Sequence, residues 1–324
     1  MDFVRGGQKF LIAGHKEPDG DCIGSQLVLA SVLRRMGKEA VLCSAGPFKR
    51  PEIKSYESLF KPEPDEEDKA GARAIVVDCS SLDRTGTLQQ HLEGLPLAII
   101  DHHGNQRHGL PESGSVFLIE ANAPSTTFLV KKLIDALGME LTGEEAELLF
   151  FGLCTDTGFF RHVDNKGAET FEVAASLIRS GASPKTAHSD MYGGKSLDSR
   201  KLMGYMLINA ESLFDGKLII SFEEYEHTCR FGLEGRDSDA LYQLFQSVAG
   251  VEAIVLLRQE THETCTVGFR SRSWLNVGSI AESFGGGGHK NAAGLSYAGT
   301  IAELKPQIIH AFERIFENEH PVNS

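Results

Sequence analysis

Residues 9–36 read KFLIAGHKEPDGDCIGSQLVLASVLRRM. A short apolar run, 9–13, ends at Gly14 in a polar loop bent by Pro18 and Gly20. The apolar spacing that follows predicts a helix over 21–36, stopped by Gly37. Strand, polar loop and helix in that order are the opening of a strand–helix–strand crossover, the unit from which parallel sheets are built.

Outward from this stretch the alternation continues. Short apolar or β-branched runs predict strands at 39–43, 74–77, 97–100 and 116–119, and helices are expected at 125–137, 143–154 and 167–180, with Gly138 as a second stop signal. The pattern predicts an α/β fold whose N-terminal domain is a largely parallel sheet flanked by helices on both faces. We place that domain at 1–192, a linker rich in turn formers and charge at 193–215, and a smaller C-terminal α/β domain at 216–324. The second domain should contain strands at 218–222, 252–257 and 265–269 and helices at 237–249, 277–284 and 301–316.

Composition narrows the function. The 324 residues carry 45 acidic and 32 basic side chains, a formal charge of -13, which argues against gripping long nucleic acid through many phosphate contacts. Small anionic ligands stay compatible, because bound cations reverse a local field. Six cysteines, Cys22, Cys43, Cys79, Cys154, Cys229 and Cys265, are scattered without a CxxC pair and read as reduced core residues. The N-terminus lacks the apolar run of a signal peptide, and no stretch approaches the roughly eighteen apolar residues of a membrane span. A cytoplasmic location with no membrane contact is expected.

In parallel sheets ligands collect beyond the carboxyl ends of the strands, and the polar clusters fall there. The first is HKEPDGD, His15 to Asp21; the second places Asp78 directly after Val77; the third is Asp101-His102-His103 directly after Ile100; the fourth is TDTG, with Asp156, at the end of an apolar helical run. Each alone has a plain reading: a turn with an N-cap aspartate, a strand-end cap, a structural histidine pair, the start of a turn. Together they supply two histidines and four carboxylates with more in reserve, which suits two hard or borderline cations, and oxygen-rich ligation favours manganese or magnesium. Two such ions about 3.5–4 Å apart would share a bridging carboxylate and water and neutralise phosphoryl oxygens during in-line attack. The GxSxG elbow of a serine hydrolase is missing.

A fifth feature lies far along the chain, the run Phe284 to Gly294, FGGGGHKNAAG. Glycines let backbone N–H groups approach an anion, and His289 and Lys290 add donors beside Gly286, Gly287 and Gly288; a flexible surface loop is the plain alternative. GK[ST] is absent, so the run is not a Walker loop. Upstream, Arg270 and Arg272 place two guanidinium groups at a strand end, suited to phosphate or simply solvated.

The five motifs HKEPDGD, VVDCSS, DHH, TDTG and GGGGHKNAAG occur in order, and over nearly the whole chain the sequence resembles the DHH/DHHA1 phosphoesterases, in particular the stand-alone oligoribonuclease and phosphoadenosine-phosphate phosphatase group. The resemblance implies that 1–192 is a DHH catalytic domain, 216–324 a DHHA1 substrate-binding domain, and the active site a cleft between them. It implies His15, Asp19 and Asp78 as ligands of one ion and Asp21, Asp78, His102 and Asp156 as ligands of the other, with Asp78 bridging. His103 would stand beside the reacting phosphate, Asp101 would orient the neighbouring histidines, and Arg161, Arg270, His289 and Gly286 to Gly288 would hold substrate. The implied cofactor is a pair of Mn2+ ions, for which Mg2+ or Co2+ could substitute. The implied substrates are short RNA or DNA oligonucleotides, hydrolysed to mononucleotides, or 3′-phosphoadenosine 5′-phosphate, hydrolysed to AMP. No long duplex is expected; members of the family often form homodimers. Two alternatives share these motifs: a cyclic dinucleotide (c-di-AMP/pApA) phosphodiesterase and a non-catalytic nucleotide-binding regulator, although every expected ligand position here holds a competent residue. A family II inorganic pyrophosphatase would typically read NPDTD in the first loop and lack the GGGGH run.

Overall fold

The computed structural model describes residues 1–103, 115–232 and 235–319. It divides into two compact units, Met1–Gly194 and Lys195–Ser324.

The first unit contains five strands, β1 (Lys9–Ala13), β2 (Glu39–Cys43), β3 (Ala72–Val77), β4 (Leu97–Asp101) and β5 (Val116–Ile119), in the order β2-β1-β3-β4-β5. Every pairing is parallel. The inner strands β1, β3 and β4 are buried on both faces, with alternate residues serving opposite cores, whereas β5 at the edge is partly exposed. Phe10, Ile12, Ile75, Val77 and Ile100 pack with the helices Gly20–Arg35, Thr126–Leu137 and Gly143–Thr157. Leu11, Ala13, Val76 and Ile99 pack on the other face with Leu82, Leu88 and Leu92. That is why the strands read as unbroken apolar runs in the sequence.

The strand order decides where a site can form. After β1 the chain turns into the Gly20–Arg35 helix on one face, whereas after β3 it runs into Leu82–Leu88 and Gln89–Leu92 on the other. Adjacent strands whose connections leave toward opposite faces open a crevice at their carboxyl ends. The His15 loop and Asp78 flank that crevice.

The second unit has a six-stranded mixed sheet, β6 (Glu211–Leu213), β7 (Leu218–Glu223), β8 (Ala253–Gln259), β9 (Thr264–Ser271), β10 (Gly287–His289) and β11 (Ala292–Ala298), in the order β10-β11-β9-β8-β7-β6. Among the described strands of this unit only β7 and β8 pair in parallel. One face is covered by the helices Val277–Ser283 and Ile301–Glu319, the other by Leu197–Ile208 and Ser238–Gln246.

Several expectations need correction. The stretch 193–215 is not an unstructured linker: it holds the helix Leu197–Ile208, whose Leu202 and Met206 are buried in the second unit, and edge strand β6. Its charged residues lie on the helix's solvated face, which made it look like a connection. Part of the glycine-rich run is strand, with Gly287, Gly288 and His289 pairing antiparallel to Gly294, Ala293 and Ala292. Glycine is required at Gly286 by close approach, since a Cβ there would lie 2.4 Å from the Gly294 carbonyl oxygen. The Gly143–Thr157 helix runs one turn beyond its expected end, so Asp156 is helical rather than in a turn. All six cysteines are free, but Cys229 is exposed, because its short helix Tyr225–Phe231 has no buried residue. Among the described residues no helix is long and apolar enough to cross a membrane.

Ile12 is fully buried between β1 and the Gly20–Arg35 helix. Replacing it with alanine should cost about 2–5 kcal/mol in urea unfolding of the metal-free protein. A cost below about 1 kcal/mol would contradict the burial described.

Candidate metal centre

Asp78 is the hub. It follows β3 with φ of +59°, a left-handed conformation that aspartate tolerates better than most residues, and its N–H donates to the Ile100 carbonyl at 2.9 Å. This kink turns the carboxylate off the strand direction into a site where it is 2% exposed. Its Oδ2 lies 3.3 Å from His15 Nε2, and its Oδ1 lies 3.6 Å from His102 Nε2 and 3.7 Å from His103 Nδ1. Among the described residues three groups of side chains have donor atoms within 4.8 Å of one another: His15, Cys22 and Asp78; Asp78, His102 and His103; Asp21, Asp78, His102 and Asp156. Asp78 belongs to all three.

The histidines are oriented from behind. His15 Nδ1 donates to the Lys16 carbonyl at 2.8 Å, which turns Nε2 toward Asp78 and Asp19. His102 Nδ1 donates to the Ala123 carbonyl at 3.3 Å, and His103 Nδ1 donates to Asp101 Oδ1 at 2.8 Å. Asp101 therefore bonds only His103 of the pair. A backbone carbonyl or carboxylate behind a ring fixes its tautomer and leaves the other nitrogen as a ligand or proton carrier.

The two aspartates of the first loop differ. Asp19 is the N-cap of the Gly20–Arg35 helix, its Oδ1 accepting from Asp21 N and Cys22 N at 3.1 Å each, and it stands outside the three close groups although His15 Nε2 is 3.8 Å away. The plain reading of that residue holds beside the functional one. Asp21, two residues on, is fully buried and accepts from Thr126 N, Thr127 N and Thr127 Oγ1.

Two features escaped the sequence reading. Cys22 joins His15 and Asp78 in one of the groups; its position on the first helical turn, three residues after Asp19, was a usable signal. Thr126 and Thr127 contact two of the carboxylates from a helix distant in sequence, and no spacing rule within the first loop could point to them.

The electrostatics are those of crowded anions. Burial, then the neighbouring carboxylates, raise Asp21 well above the usual range, and burial chiefly raises Asp78 against the opposing hydrogen bond from His15. Burial would lower His102, but Asp156 Oδ2 at 2.9 Å and then Asp78 outweigh it and raise the ring to about 9. Asp19 moves the other way: burial would raise it, yet the His15 ring brings it down to about 2. Among the described residues Asp101 Oδ2 is buried without a hydrogen-bond partner, and His102 Nε2 faces Asp156 Oδ2 at 2.9 Å. In the metal-free fold a proton on His102 Nε2 offsets these carboxylates; a divalent cation held by the neutral ring and the same oxygens would take that proton's place.

The remaining residues singled out in the sequence lie elsewhere. Arg161 is exposed on the turn after the Gly143–Thr157 helix, its Nη2 3.1 Å from His162 Nε2. Arg270 and His289 belong to the second unit, where His289 pairs with Ala292 and Ala292 with Arg270, so all three share one face of the sheet. The next row on that face is Gly287, Gly294 and Gly268, which has no side chains of its own, and the Tyr242 hydroxyl lies over it at Gly268. The Arg270 guanidinium stacks over Tyr242, 4.6 Å from the ring centroid.

Comparison with known proteins identifies the family. The DHH family N-terminal domain matches residues 9–153, and the DHHA1 domain matches residues 215–318. A bifunctional oligoribonuclease and PAP phosphatase NrnA from Thermus thermophilus is 33% identical over 94% of this chain and 87% of its own length. The protein of the same name from Bacillus subtilis is 28% identical over 87% of each chain. The crystal structure of an exopolyphosphatase-related protein from Bacteroides fragilis shares the fold, with a TM-score of 0.79 at 24% identity over 98% of this chain and 96% of that one. The chain therefore belongs to the DHH family of phosphoesterases, with a DHH domain followed by a DHHA1 domain.

Proposed function

We propose that the protein is a manganese-dependent phosphoesterase that hydrolyses short oligonucleotides to mononucleotides and 3′-phosphoadenosine 5′-phosphate to AMP. The observation that carries the reading is the convergence of three donor groups on one buried carboxylate, Asp78, in a chain 33% identical to an oligoribonuclease and PAP phosphatase. His15, Asp78 and the Asp19 oxygen not used in capping would hold one ion; Asp21, Asp78, His102 and Asp156 would hold the second. The set of imidazole and carboxylate donors suits manganese. When bound, such a pair supplies a lowered pKa for an attacking water and neutralisation of phosphoryl oxygens.

The chain's own groups complete the chemistry. His103, held through Nδ1 by Asp101, presents Nε2 as the proton carrier beside the reacting phosphate. In the second unit Arg270 and His289 stand beside a row of glycines and are suited to a terminal phosphate and a stacked base; in the first unit the Arg161 guanidinium is suited to a phosphate. A net charge of -13 opposes long polyanions and favours a substrate of a few nucleotides. We extend the proposal to a cytoplasmic location and to a homodimer, whose mass sedimentation analysis would read directly.

Purified protein with Mn2+ should release nucleotide or phosphate rapidly from diadenylate and from 3′-phosphoadenosine 5′-phosphate, and slowly from a twenty-nucleotide RNA. Turnover of cyclic diadenylate alone would replace the reading with a signalling phosphodiesterase, and silence on all of these and on pyrophosphate would overturn it. Asp78→Ala should abolish Mn2+ binding and lower turnover by roughly 10³-fold or more, the order lost when a central electrostatic group is removed; wild-type turnover in that variant would mean the centre is misassigned. The His102 ring is raised from 6.5 to about 9 in the metal-free fold. Its contribution to stability is therefore present below pH 6.5 and lost as pH rises through about 9. Melting temperature in EDTA should fall across that window, while the increment produced by Mn2+ grows because the ion no longer displaces a proton. A Mn2+ increment independent of pH would remove His102 from the ligand set.

A further inference from the structure

The helix Thr126–Leu137 begins in an unusual way. Its N-cap Ser125 satisfies only Phe128 N, through Oγ at 3.1 Å. The N–H groups of Thr126 and Thr127, which a helix leaves without an internal partner, donate to a single carboxylate from another element, Asp21, at 2.6 Å to Oδ2 and 2.8 Å to Oδ1. The Thr127 hydroxyl donates to the same Oδ1 at 2.6 Å, and the Thr126 hydroxyl donates to Asp78 Oδ1 at 3.0 Å. Since the single hydroxyl hydrogen of Thr127 goes to Asp21, the 2.8 Å contact between Ser125 Oγ and Thr127 Oγ1 has Ser125 as donor. A continuous chain of bonds thus runs from Phe128 N through Ser125 and Thr127 to Asp21.

The fit around Thr127 is specific to a branched residue. A Cβ on Gly152 would come within 2.5 Å of the Thr127 methyl, and one on Gly24 within 3.3 Å, so two glycines on the flanking helices open the space this methyl occupies. Ser125, Thr126, Thr127 and Asp21 are all buried. Water cannot stand in for a lost hydroxyl without displacing packed atoms.

We propose that Thr126 and Thr127 are positioning residues of the metal centre: they fix the orientation of Asp21 and Asp78 so that the oxygen lone pairs left over converge with His102 and Asp156. The inference rests on the metal-dependent reading above. Asp21 has both oxygens anchored by the start of one helix, whereas Asp78 has one oxygen anchored and the other left to face His15. The two carboxylates are thereby made unequal before any ion arrives.

Valine keeps the shape of threonine and removes only the hydroxyl, which makes a clean test. Mn2+ binding by the intact protein, followed through the paramagnetic resonance of the free ion, should weaken by about tenfold to a hundredfold in Thr127→Val and in Thr126→Val, the range expected when a ligand loses its outer hydrogen bond. Thr127→Ser, which keeps the hydroxyl, should bind within about threefold of wild type, a rescue that a packing role would not produce. Should Thr127→Val fail to fold, Thr126→Val carries the same comparison through Asp78. Wild-type affinity in the folded valine variants, or loss of affinity in Thr127→Ser equal to that in Thr127→Val, would overturn the inference. Absence of Mn2+ binding by the wild-type protein would instead overturn the metal-dependent reading itself.

Discussion

A carboxylate that is 2% exposed must be matched by opposite charge or by donors, since an uncompensated buried ion costs several kcal/mol. Asp78 is that carboxylate: burial raises its pKa, and the hydrogen bond from His15 works against that rise. It has three imidazoles around it, a threonine hydroxyl on one oxygen and a backbone kink that aims it. Those groups come from β1, β3, β4 and the start of the Thr126–Leu137 helix. They meet only because the strand order β2-β1-β3-β4-β5 sends the connections after β1 and β3 to opposite faces.

The parallel sheet enforces the location. Its faces are filled by two apolar cores, so polar side chains gather at the strand ends. Burial and then the same crowding raise Asp21 and Asp78, and the carboxylates of Asp156 and Asp78 raise His102. Helix starts help to balance the anions: Asp19 caps the helix that follows it in sequence, whereas Asp21 caps one more than a hundred residues further on.

The second unit obeys different rules. Its mixed sheet tolerates buried charge where pairing is complete: Glu223, fully buried, accepts from Arg236 at 3.0–3.1 Å, and Arg236 also bonds both oxygens of Glu260. Glycine there is a packing requirement. A Cβ on Gly268 would meet the Tyr242 hydroxyl at 2.2 Å, so the bare strip beside Arg270 and His289 follows from how closely the neighbouring side chains and strands approach.

The amino-acid order alone was enough for the α/β class, the five strands of the first sheet and the clusters at His15, Asp78, Asp101 to His103 and Asp156, because apolar periodicity and strand-end polarity are local properties. Local rules also misled. They took the Leu197–Ile208 helix for a linker, since its solvated face hid the buried Leu202 and Met206, and left open whether the glycine run was a loop, since pairing between β10 and β11 is invisible to composition. What tertiary structure alone decided was which donors share an atom's reach. That Asp78 joins every group, that Cys22 faces His15, that Asp19 caps its own helix while Asp21 is clamped by Thr126 and Thr127, all depend on distances between segments far apart in the chain, and such distances are set by packing rather than by spacing.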